Sequence, residues 1–263
     1  TLSLDAKITR TIIVGDVHGC LDELKELLAA CDYDADNTRV VLVGDLVNKG
    51  PFSAETVHFV RTSGFHCVRG NHDDAALFNY ERRQAALKMG NPSPPDDKYA
   101  YCDKLTAEDV RFLRALPHTL ALEDEKVIVV HAGLVPGLSL WRQPAAGMIT
   151  MRNVCRRGAV EDETMAGALP EPDDYASPSW RWTASGAAGS AWASQWRPAC
   201  ETGPQHVVFG HDAKRGIQFE RHATGLDSGA CYGKRLSALV LPEGRIVSVD
   251  SRRTYVKPED EVS

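Results

Sequence analysis

With 43% hydrophobic and 25% charged residues over 263 positions, the chain has the balance of a folded globular protein and not that of a disordered segment. A formal net charge of −6 argues against general adhesion to nucleic acid or anionic membrane, so an anionic ligand must be met by locally placed cations. The seven cysteines (20, 31, 67, 102, 155, 200 and 231) are odd in number and lack CxxC spacing, so neither a disulfide framework nor a structural zinc site is suggested. We therefore expect a reducing, cytoplasmic compartment, with the organelle left open because the chain opens on Thr1, and no membrane partner.

In chain order, Ile12-Ile13-Val14 is an apolar β-branched run that stops at Gly15 and predicts a buried first strand. Leu21, Leu24, Leu27, Leu28 and Cys31 recur at helical spacing, a second strand follows at 39–43, and Ser53 is expected to cap a helix through Thr62. A third strand at 65–68 completes a βαβαβ opening. Asp73 and Asp74 are expected to cap a helix reaching Met89, with its distal half off the core, ended by Gly90 and the Pro92, Pro94 and Pro95 cluster. Thr106 to Asp109 has the spacing of a capping box, and 119–122 with 127–130 reads as a hairpin. Periodicity is lost from Pro136 to Pro204, which predicts a loop-rich lid or insertion. Runs at 207–209, 217–220, 237–241 and 245–249 suggest a further antiparallel sheet. The whole is expected to be a single domain over 1–263, of α/β (α+β) class.

Five strand ends in this scheme deliver polar residues: Asp16 and His18, Asp45, Asn71 with His72, His131 and His211. Functional groups in such sheets collect beyond the strand ends. Asp16, His18, Asp45, Asn71, His131 and His211 are too many ligands for one tetrahedral ion and suit two, with Asp45 as the bridge. Mixed carboxylate, imidazole and amide donors favour Mn²⁺, Fe²⁺ or Zn²⁺ over Ca²⁺ or Mg²⁺. Two such ions about 3.5–4 Å apart bind phosphoryl oxygens and generate a hydroxide, so hydrolysis of a phosphoester or phosphoanhydride is expected.

GDVHG (15–19), GDLVNKG (44–50), GNHDD (70–74), HAG (131–133) and GHD (210–212) together resemble the ordered motifs of the calcineurin-like metallophosphoesterases. With LDSGACYGKRLSAL (226–239) they look most like the ApaH-like phosphatases and symmetrical diadenosine tetraphosphatases. The resemblance covers the chain outside 136–204. It implies a β-sandwich of mixed sheets flanked by helices. It also implies one metal on Asp16, His18 and Asp45, a second on Asp45, Asn71, His131 and His211, and catalysis by Asp45 with His72 protonating the leaving oxygen. Lys49, Asn71 and Arg152 would meet the substrate.

Asn48-Lys49-Gly50 replaces the Asp-Arg-Gly of the protein-phosphatase branch, removing a carboxylate beside the acid histidine and a bidentate phosphate clamp. The expected function is two-metal hydrolysis of nucleoside polyphosphates, with diadenosine tetraphosphate cleaved symmetrically to two ADP. A protein serine/threonine phosphatase is the alternative, with a phosphoprotein as partner, and a non-catalytic scaffold is a second. His58, His66, His118, His206 and His222 are read as surface or core residues, and Trp180, Trp182, Trp192 and Trp196 as packing. Lys214-Arg215 and Lys234-Arg235 are read as solvated pairs, and Asp227 as either an orienter of a histidine or a turn residue.

Overall fold

The computed structural model describes residues 8–90, 97–156, 179–199 and 203–257. Its layering follows from side-chain alternation along strands buried on both faces. In β1 (Arg10–Val14), Ile12 and Val14 turn to one cluster and Ile13 to another, and β2 (Thr38–Leu42) repeats this with Val40 and Leu42 against Val41. β1 pairs in parallel with β2, and β2 with β3 (His66–Cys67). Parallel neighbours need crossovers, here the helices α1 (Leu21–Ala30) and α2 (Ser53–Thr62), which bury Leu24, Leu27, Val57 and Val60 on the Ile12/Val14 face.

The helix starts differ from the sequence expectation. Phe52 takes the cap position of α2, because the Ser53 hydroxyl instead accepts the Asn48 N–H at 2.9 Å. Helix α3 (Asn71–Lys88) is capped by Gly70, and Asp73 lies inside its first turn. There the Asp73 carboxylate accepts the N–H groups of Gly70, Asp45 and Leu46, each at 2.9 Å, so it ties the helix start to the loop after β2. The buried residues of α3 are Asp73, Ala76 and Leu77, so its distal half does leave the core, while the prolines placed beyond it lie outside the described residues. A 3-10 helix (Asp97–Lys104) and α4 (Ala107–Ala115) pack beside it, and the Thr106–Asp109 capping box is present as expected.

β4 (Thr119–Leu122) and β5 (Val127–Val130) form the expected hairpin. The following stretch is more regular than its composition suggested. Its described part holds α5 (Ala145–Thr150), an antiparallel sheet of β6 (Asn153–Arg156), β7 (Trp180–Thr183) and β8 (Ser190–Ala191), and α6 (Trp192–Gln195). Elements of two to six residues are too short to show a period. Residues 157–178 and 200–202 of this stretch lie outside the described residues.

The separate antiparallel sheet expected for the second half is not formed. β9 (His206–Phe209) runs parallel between β5 and β11 (Ala223–Gly225), a strand missed in the sequence, in a sheet ordered β10 (Gln218–Glu220), β11, β9, β5, β4. The hairpin of β12 (Arg235–Leu241) and β13 (Arg245–Asp250) extends the first sheet to β13, β12, β1, β2, β3. The two sheets face each other through Ile13, Val41, Val127, Val129, Val208 and Leu239. Ile128, Val130, Val207 and Phe209 turn outward onto Trp182, Trp192 and Trp196, which are core residues as the packing reading expected. The chain is thus a mixed α/β sandwich with helices on one outer face and the tryptophan-rich layer on the other.

Candidate metal centre

Each ligand-bearing loop leaves the C-terminal end of a parallel strand, where the ladder is finished and backbone can turn. The turns are strained. His18, Asp45, Asn48, Lys49 and His211 all have positive φ (47°, 52°, 69°, 69° and 68°), a conformation costing on the order of 1–3 kcal/mol for such a residue. Two glycines let the loops close on each other: a Cβ at Gly70 would collide with the Asp45 carboxylate, and one at Gly210 with that of Asp16.

The six expected ligands converge. His18 Nδ1–H donates to Val47 O (3.0 Å), His131 Nδ1–H to Val43 O (2.8 Å) and His211 Nε2–H to Thr150 O (3.1 Å). With the ring proton held by a carbonyl in each case, the other nitrogen carries a bare lone pair. Among the described residues those bare nitrogens meet acceptors and one cation: His18 Nε2 is 3.4 Å from Asp45 Oδ2, His131 Nε2 is 3.5 Å from Asp45 Oδ1 and 3.0 Å from Asn71 Oδ1, and His211 Nδ1 is 3.1 Å from Asn71 Oδ1. Lone pairs facing lone pairs are repulsive unless a cation lies between them. The Lys49 ammonium behaves accordingly, with Nζ 3.0 Å from His18 Nε2 and 5.1 Å from the Tyr232 ring centroid. Among the described residues, two sets of donors lie within 4.8 Å of one another, His18–Asp45–His72 and Asp16–Asp45–His131, and Asp45 belongs to both.

The electrostatics agree with this. Burial, with Asp227 and Asp45 nearby, raises the Asp16 pKa well above the carboxylate range, and burial pushes Asp45 up to about 7. Burial, with Lys49 and His72 nearby, holds His18 well below its usual range. Burial also brings His131 down to about 4, and with His131 and Arg152 nearby it lowers His211 well below its usual range. Carboxylates short of positive charge beside neutral imidazoles form a donor set that divalent cations fit.

A family model described as calcineurin-like phosphoesterase matches residues 9–215. The chain belongs to the calcineurin-like phosphoesterase family. It is a metallophosphoesterase, a hydrolase, in a family that works with divalent metal ions. Similar proteins include a symmetrical bis(5'-nucleosyl)-tetraphosphatase of Aromatoleum aromaticum, 28% identical over 90% of this chain and 95% of that one. The asymmetrical bis(5'-nucleosyl)-tetraphosphatase PrpE of Halalkalibacterium halodurans is 26% identical over 93% of this chain and 95% of its own length. A crystal structure provisionally assigned as a diadenosine tetraphosphatase superposes with TM-score 0.75 and 34% identity, over 95% of this chain and 97% of that one.

In this metallophosphoesterase an amide stands beside His72. Asn48 Nδ2 donates to His72 Nδ1 at 2.9 Å, and Tyr101 OH donates to Asn48 Oδ1 at 2.7 Å. The proton of the neutral ring is therefore on Nε2. Burial, then Lys49 and Lys98, bring the His72 pKa down to about 3, so the ring is neutral at ordinary pH. Lys49, Asn71 and Arg152 line a cavity of about 460 Å³ over the cluster, together with His18, Asp45, His72 and His211.

Sequence reasoning missed Tyr101, for which no spacing signal exists, and Lys98, Tyr232 and Lys257. All four residues of the two basic pairs are exposed, as the solvated reading expected. Lys214 and Lys234 also line the cavity, whereas Arg215 is taken by Asp212 and Asn153, and Arg235 by Asp250. Asp227 acts as a turn residue, accepting the Gly229 N–H at 3.1 Å, and the histidines are oriented by backbone carbonyls instead. None of His58, His66, His118, His206 and His222 lines the cavity. No described helix is long and apolar enough to cross a membrane, and the six described cysteines are free.

Proposed function

We propose that the chain hydrolyses phosphoanhydride bonds of nucleoside polyphosphates, with diadenosine tetraphosphate cleaved symmetrically to two ADP. The observation that carries this reading is the convergence of three bare imidazole nitrogens and the Asp45 and Asn71 oxygens beneath a cavity lined by cations. Asp16, His18 and Asp45 would hold one divalent ion, and Asp45, Asn71, His131 and His211 the other, with Mn²⁺ the best match and Fe²⁺ or Zn²⁺ also suited to the donors. Bound there, the ions supply Lewis acidity toward phosphoryl oxygens and an activated water.

The protein's own groups supply the rest. Lys49 and Arg152 offer charge to the non-bridging oxygens, and the His72 Nε2–H donates a hydrogen bond to the leaving oxygen as its negative charge develops. A neutral imidazole is a weak acid. It suits a leaving nucleoside diphosphate, whose charge is already spread over phosphate oxygens, better than a serine alkoxide. The names of the relatives include both symmetrical and asymmetrical cleavage, so product analysis is the test. With Mn²⁺, diadenosine tetraphosphate should yield ADP alone. ATP and AMP would assign asymmetrical cleavage, and release of phosphate from a phosphopeptide at a comparable rate would favour the protein-phosphatase reading.

A further inference from the structure

Among the described residues, six cationic side chains line the cavity over the cluster, Lys49, Lys98, Arg152, Lys214, Lys234 and Lys257, against two carboxylates, Asp45 and Asp227, in a chain of net charge −6. They arrive from separate segments: the loop after β2, the 3-10 helix, the link between α5 and β6, the turn after β9, the turn before β12, and the segment after β13. Like charges brought together from so many places repel unless the fold is arranged to receive an anion. The placements are supported by the backbone. Lys234 Nζ donates to Ala213 O at 3.5 Å, beside Lys214, and the Tyr255 and Val256 N–H groups both bond Cys231 O (3.0 and 3.1 Å), which carries Lys257 to the rim.

The six divide into two groups. Lys49 Nζ lies 3.0 Å from His18 Nε2, Arg152 stands two residues after Thr150, whose carbonyl holds His211, and Lys98 stands three before Tyr101, which holds Asn48 against His72, so these three belong to the reacting phosphate and its leaving group. One phosphate dianion seated on two divalent ions needs no more positive charge than that. Lys214, Lys234 and Lys257 are additional, and they face the same cavity. We infer that Lys214, Lys234 and Lys257 form a second anionic subsite, which binds the phosphates of a linear polyphosphate lying beyond the scissile one. This rests on the polyphosphate reading of the site and adds to it the residues that select for phosphate chain length.

The test is calorimetric binding to the metal-loaded full chain, with metal in excess of each probe. Orthophosphate is compared with methylenediphosphonate, a hydrolysis-resistant two-phosphorus chain. At low salt the diphosphonate should bind about tenfold more tightly, and the margin should shrink as salt screens the exposed lysines. In Lys214→Ala/Lys234→Ala the margin should fall toward one. Arg235→Ala, which removes a side chain paired with Asp250 and not lining the cavity, should keep it. No margin in the wild type, or an equal margin in the double variant, overturns the subsite. Failure of the nucleoside-polyphosphate reading would look different: the margin would be present and lysine-dependent, while diadenosine tetraphosphate stayed uncleaved.

Discussion

At the scale of single residues, Asp45 and His72 make separable predictions. Asp45 belongs to both donor sets, and Asp45→Asn should lower turnover by several orders of magnitude together with metal content, measured by activity and elemental analysis on the same sample. A variant with full activity and full metal would remove Asp45 from the bridge. His72→Ala should keep both ions while losing activity, because Asn48 holds this ring as a proton donor. Loss of half the metal would make His72 a ligand, a role its proximity to His18 and Asp45 also permits. Asn48→Asp replaces a donor to Nδ1 by an acceptor, which favours a protonated and more acidic ring. The ratio of kcat/KM for a phosphopeptide over diadenosine tetraphosphate should then rise, by up to the ~10²–10⁴-fold range of general acid catalysis. An unchanged ratio would mean that access, and not leaving-group chemistry, sets the preference.

At the scale of elements, the turn glycines and the helix caps differ in what they protect. Gly70 caps α3 and lies against the Asp45 carboxylate, so Gly70→Ala should displace that ligand and abolish metal binding more than it lowers stability. Thr106→Ala removes an acceptor for the Asp109 N–H far from the cluster. It should cost about 1 kcal/mol, a fall in Tm of roughly 2–4 °C for a chain near this size, with activity retained. Thermal melts and metal titrations on the two variants distinguish these cases. A Thr106→Ala protein that melts like wild type would leave the capping box without an energetic role.

For the whole molecule, the cluster links stability to pH through metal. Folded, His18 and His211 are held neutral, with the pKa of His72 at about 3 and that of His131 at about 4, whereas unfolded histidines take up protons below about 6.5. That contribution to stability is therefore full above about pH 7 and is lost as pH falls. In the metal-free protein Asp16, Asp45 (about 7) and Asp227 (about 6) work in the opposite sense, because the folded state keeps protons that unfolded carboxylates release above about pH 4. Metal held by Asp16 and Asp45 would ionise those two carboxylates and leave the histidine contribution largely unopposed. The Tm of the metal-loaded protein should consequently drop steeply from pH 7 to pH 5, while that of the chelator-treated protein changes far less. Parallel profiles would show that the ions do not bind these groups.

The local rules were enough to read the βαβαβ opening, the hairpin at 119–130, the Thr106 cap and the residues that gather in the cluster, because each is written in neighbours a few positions apart. The pairing of β9 and β12, the strand at 223–225 and the small sheet around the tryptophans depend on partners far along the chain, and strands of two to four residues show no period of their own. Which nitrogen each histidine presents was decided by the Val43, Val47 and Thr150 carbonyls, and a carbonyl has no sequence identity. Tyr101 reaches Asn48 across 53 positions, and Lys214 and Lys234, still exposed, come to one cavity only because two loops fold against it. Composition and motif determine which chemistry is available, and long-range packing decides the proton, the charge and the shape with which it is offered.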